Sequence, residues 1–102
     1  MKQKVCEADI TRGIRQYLTM RHIWHFKHWG GPMGAVGIAD ILGIYRGRFL
    51  AIEIKRPGGR GPSPSQQGFL DNVKAAGGIG FCAYSVDDVI AMLDEIDSRL
   101  DD

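Results

Sequence analysis

Ile10, Ile14, Tyr17, Leu18 and Arg21 recur at helical spacing. The pattern predicts a first helix over roughly Glu7 to Met20, with Gly13 its one local weakness. The period then changes. Ile23 to Trp29 is aromatic and β-branched and reads as a strand, ended by Gly30-Gly31-Pro32. Two further apolar runs, Gly37 to Tyr45 and Phe49 to Lys55, are joined by Arg46-Gly47-Arg48 and read as a β-hairpin. Arg56 to Pro62 stops the second run and forms a flexible basic loop. Ser63 as N-cap, Pro64 at the first position and Gln66 at the third then open a helix with a capping box. Phe69, Val73 and Ala76 carry its core face, and Gly77-Gly78 ends it. Ile79 to Tyr84 is a fourth strand. A last helix starts at Ser85 and buries Val89, Leu93, Ile96 and Leu100, with Asp94, Glu95, Asp97, Asp101 and Asp102 on its solvated side. The fold class is therefore α/β, in the order α-β-β-β-α-β-α. It predicts a small mixed sheet with helices on both faces: an antiparallel meander first, then a parallel pair across the middle helix.

A chain of 102 residues makes one domain, residues 1–102, large enough to bury roughly 60–70% of its unfolded surface. Its apolar and charged fractions are those of an ordinary globular protein. No apolar stretch is long enough to span a bilayer, and Met1-Lys2-Gln3-Lys4 lacks a signal-peptide core, so a cytoplasmic protein without a membrane partner is expected. Cys6 and Cys82 read as inert or buried thiols in a reducing compartment. The formal charge of +1 gives no global pull toward nucleic acid. Its distribution does, since Arg46, Arg48, Lys55, Arg56 and Arg60 share a stretch whose only acid is Glu53.

The hairpin carries the candidate chemistry. Residues two apart on a strand project from one face, so Glu53 and Lys55 point one way while Leu50, Ile52 and Ile54 point into a core. An antiparallel neighbour can bring Asp40 beside them. Two carboxylates and an ammonium on one sheet face suit a divalent metal and a phosphate. Glu7 lies one turn before Ile10 and continues the apolar stripe toward the core side. It either complements the helix dipole or reaches the site as a third acid. Gln66 either caps its helix or also binds a water or phosphate beside Lys55. His22, His25 and His28 suggest zinc, but on a strand neighbouring members of the trio face opposite sides and do not converge. A single histidine or Lys27 touching phosphate stays open. The loop Gly30 to Gly37, with Pro32 and four glycines, is either mobile or closely approached by a ligand.

Gly37-x-x-Asp40, then Glu53-x-Lys55-Arg56-Pro57-Gly58-Gly59-Arg60, then Gln66-x-x-Phe69-Leu70 and Ala76-Gly77-Gly78 together resemble the VRR-NUC domain. That family belongs to the PD-(D/E)XK, restriction-endonuclease-like nucleases, and its short stand-alone members occur in phages and bacteria. The likeness runs from Glu7 to about Val89, with Ala39 standing where the superfamily name has proline. It implies a Mg²⁺- or Mn²⁺-dependent DNA endonuclease. Asp40 and Glu53 would ligate the metal with the Ile54 carbonyl, and Glu7 would complete or orient the shell. Lys55 would position or deprotonate the attacking water, and Gln66 would hold that water or a phosphate. Lys27, Arg46, Arg56 and Arg60 are the expected nucleic-acid contacts. Similar stand-alone proteins act on branched DNA such as four-way junctions, usually as homodimers. Two rival readings are a catalytically silent DNA-binding or assembly module of the same fold, and an RNA-processing nuclease.

Overall fold

The computed structural model describes residues 5–29 and 37–101. Its elements run α1 (Glu7–Met20), β1 (His25–Lys27), β2 (Ile41–Tyr45), β3 (Arg48–Ile54), α2 (Pro64–Ala75), β4 (Ile79–Ala83) and α3 (Val86–Leu100). The four strands form one sheet in the order β1-β2-β3-β4. β1, β2 and β3 are antiparallel, and β4 joins β3 in parallel after the α2 crossover. This is the mixed sheet and element order expected from the sequence.

The alternation of β3 divides the molecule into three layers. Leu50, Ile52 and Ile54 face α1 and α3, where they pack with Ile10, Ile14, Leu18, Val89 and Leu93. Ile14, Leu18, Leu50, Ile52 and Leu93 are fully buried, and truncating any one to alanine costs about 2–5 kcal/mol. Ala51 faces the other way, against Leu70 and Val73 of α2. That contact is close because a Cβ at Gly80, the cross-strand partner of Ala51, would lie 2.8 Å from the Leu70 carbonyl oxygen. Only a glycine lets α2 settle there.

Three expectations need correction. β1 is three residues long, shorter than Ile23 to Trp29, and Trp24 and Trp29 flank it. The hairpin turn is Arg46-Gly47 alone, and Arg48 is already in β3, paired with Tyr45. Both turn residues have positive φ, 51° at Arg46 and 78° at Gly47. That is the primed geometry that matches strand twist and favours two-residue hairpins. An arginine is an unusual occupant of the left-handed region, which hid the turn's true length. Ordered pairing of β2 begins at Ile41, so Gly37 to Asp40 precede the strand. The loop expected over Gly30 to Gly37 lies outside the described residues except for Gly37 itself.

α2 starts as its sequence predicts. The Ser63 side chain accepts from the Gln66 backbone, and the Gln66 side chain accepts in return from the Ser63 N–H. Gly37, at φ 86°, packs against this start: a Cβ there would lie 2.7 Å from the Ser65 carbonyl oxygen. No described helix is long and apolar enough to cross a membrane.

Candidate metal centre

Ile41 pairs with Ile52 in the β2–β3 ladder. One step further along the same register sets Asp40 opposite Glu53, on the sheet face that carries Leu42, Ala51 and α2. Asp40 is fixed in this place from the backbone, since its Oδ2 accepts the Ile54 N–H at 2.7 Å. Lys55 follows on the same face, its Nζ 3.8 Å from Glu53 Oε1. The hairpin thus assembles two carboxylates and an ammonium at the end of the sheet opposite its turn.

Glu53 is 2% exposed, and its Oε2 is buried with no hydrogen-bond partner. Burial, and then the neighbouring Asp40 carboxylate, push the Glu53 carboxyl up to about 8, with Lys55 opposing and Glu7 adding a little. The Oε2 lacks a partner because two carboxylates side by side hold no donor between them. A shared proton or a cation supplies what is missing. Both fit the same gap.

Glu7 departs from its expected place. It is exposed, at the first turn of α1, and it borders two hollows at once. Among the described residues no three His, Cys, Asp or Glu side chains gather into a ready-made metal cluster. Asp40 and Glu53 form a pair, and Glu7 stands at the rim. A pair suffices for Mg²⁺, which keeps several of its waters and binds through one or two carboxylates. The donor chemistry and the orphaned oxygen therefore fit a hard divalent cation.

The basic residues divide by location. Lys55, Arg56 and Arg60 line a hollow of about 490 Å³ together with Glu7 and the glycines of the loop after β3. Lys27 lines the other hollow with Asp40. Arg46 is not brought to the site. It sits at the hairpin turn, about 20 Å along the strands from Glu53, and binds Asp97 at 3.2 Å and Asp101 at 2.9 Å. Gln66 is committed to the cap through Oε1, which leaves its Nε2 for a second contact.

The sequence did not reveal Cys82 as a neighbour. It pairs with Glu53 across β3–β4, and burial raises its thiol. The register of a parallel pair joined through a helix leaves no local signal, unlike that of a hairpin.

No family model matches the sequence, and no curated protein does. The fold has a clear counterpart in a solved structure described as a VRR_NUC domain protein. That structure is similar at a TM-score of 0.68 and 19% identity, over 92% of this chain and 89% of that one. The chain has the restriction-endonuclease-like mixed sheet, in the order α-β-β-β-α-β-α.

Proposed function

We propose that this chain is a single-domain, metal-dependent nuclease that hydrolyses phosphodiester bonds in DNA. The reading rests on one observation: Glu53 is buried opposite Asp40 with an oxygen that no protein donor satisfies. The fold shared with a VRR_NUC domain protein supports it. Asp40, Glu53 and the Ile54 carbonyl would hold Mg²⁺ or Mn²⁺, with Glu7 completing or orienting the shell from the rim. When bound, such an ion acidifies water and offsets charge building on phosphate.

The chain's own groups do the rest. The Ile54 N–H holds Asp40 in one orientation. Lys55, 23% exposed at its side chain, presents its ammonium where an attacking water and a phosphate oxygen would meet, to orient one and stabilise charge on the other. Arg56 and Arg60 track the flanking phosphates, so binding is salt-sensitive. Gln66 contributes a second donor through Nε2.

Branched DNA such as a four-way junction is the proposed substrate, cut by a homodimer, because two symmetric cuts need two sites and the chain offers one. Trp24, Phe26, Ile44 and Phe49 are exposed on one sheet face, and a second copy would cover them. Sedimentation as a monomer at micromolar concentration would remove the dimer.

The deciding experiment is a cleavage panel of duplex, flap, splayed-arm and four-way DNA with Mg²⁺, Mn²⁺ or EDTA. Cleavage should require the metal. Asp40→Ala and Glu53→Ala should each lose it by about 10²-fold or more while still binding DNA. Full activity of either variant sinks the assignment.

A further inference from the structure

Between α1 and the end of β1 runs a cleft of about 840 Å³, walled by Thr11, Arg12 and Arg15 on one side and Lys27 and Trp29 on the other. One end reaches Glu7 and Asp40. The α1 wall extends from Glu7 to Met20, about 20 Å at the helical rise. The cleft thus borders Asp40, one member of the carboxylate pair, and carries cations and an aromatic ring.

Trp29 is 75% exposed, an unusual state for the largest apolar side chain. The Lys27 ammonium lies 4.5 Å from its ring centroid. That contact steadies one face of the indole and leaves the other to solvent. Arg15 is half-buried beside it, and its Nε has no hydrogen-bond partner. Arg12 is engaged by Asp9 at the surface. Lys27 and Arg15 are therefore the cations available to a ligand in the cleft.

We propose that this cleft is a subsite for an unpaired nucleic-acid strand, with a base stacked on the open face of Trp29 and phosphates on Lys27 and Arg15. An indole presents a flat surface that any base can cover, whatever its sequence. Within a duplex both faces of each base are already covered by neighbours, so the ring selects splayed strands and frayed ends. The Glu7 and Asp40 end repels phosphate until a cation is present, and Trp29, one residue beyond the His28 N–H that donates to the Asp40 carbonyl, sets its stacked base beside that end. The proposal rests on the nuclease reading only for what happens at that end.

The test uses full-length protein in EDTA, so that no cleavage intervenes. Trp24→Phe leaves Trp29 as the single tryptophan. Titration with oligothymidylate should then quench its fluorescence saturably. Trp29→Ala should weaken oligothymidylate binding about 5- to 150-fold and change affinity for a blunt hairpin duplex less than about twofold. Trp29→Phe should retain most of the single-strand affinity, and Arg15→Gln should weaken it.

No quenching, or equal losses for both nucleic acids, overturns the subsite. So does a Trp29→Ala protein with unchanged nucleic-acid binding but altered sedimentation, which assigns the cleft to a protein contact. Quenching without metal-dependent cleavage leaves the subsite standing and removes the nuclease reading. Cleavage with no single-strand preference does the reverse.

Discussion

Glu53 is costly to the fold and useful to the chemistry for the same reason. A carboxylate taken from water and set against Asp40 destabilises the metal-free protein. Glu53→Gln keeps the shape and adds a donor where the pair lacks one. It should raise the melting temperature in EDTA, at about 4–8 °C per kcal/mol gained in a domain of this size. It should also lose the further rise that Mg²⁺ or Mn²⁺ gives the parent protein. Thermal scans with and without metal check both; an unchanged metal response clears Glu53 of ligation. Lys55→Met separates the remaining roles. The metal-induced rise should persist while single-turnover cleavage slows by about 10²-fold. A parental rate would make Lys55 structural. That Glu53 and Lys55 share a face was legible from strand alternation, and Asp40 from its place on the neighbouring run. The register that sets Asp40 opposite Glu53 was not, because the two-residue turn reads as three. Arg46 was legible as a turn residue, but its pairing with Asp97 and Asp101 of a distant helix left no local signal.

At the level of elements, the hairpin turn is clamped to α3. The Tyr45 hydroxyl donates to Asp97, Arg46 binds Asp97 and Asp101, and Arg21 reaches Tyr45 from the end of α1. The Tyr45 bond, with help from Arg46, holds the Asp97 carboxyl below its usual 3.8. A depressed acid adds stability above its unfolded pKa and loses it as the pH falls through the folded one. Asp97→Asn should therefore lower the melting temperature at pH 7, and the gap to the parent should close well below pH 3.8. A gap that persists in acid would mean that packing, not charge, sustains the clamp. These long-range contacts were invisible in the sequence, where the acids of α3 read as a solvated face. The helices fared better: α1 and α2 lie where periodicity and capping residues put them. Glu7, Ala76 and Leu100 broke the pattern, all expected on a core side and all exposed, because the end of a helix can leave the core even when its spacing fits.

For the molecule as a whole, charge is divided between two ends of the sheet. Arg56 and Arg60 sit beside the carboxylates, whereas Arg46 is paired at the far turn. Each phosphate contact contributes about one unit to the slope of log affinity against log salt. The Arg56→Ala and Arg60→Ala variants should each flatten that slope by about one, and Arg46→Ala should leave it alone. Equal effects of all three would place DNA across the whole sheet rather than at its carboxylate end.

The contact between the Ile54 N–H and Asp40 spans only fourteen residues, and a hairpin closes within about 1–10 μs, early among the steps of folding. The repulsion of the carboxylate pair is thus met on the way up the folding barrier, before α2 and β4 have docked. Glu53→Gln should accordingly speed refolding more than it slows unfolding. A divalent ion added during refolding should act as a catalyst of hairpin closure rather than as a late reward for completing it.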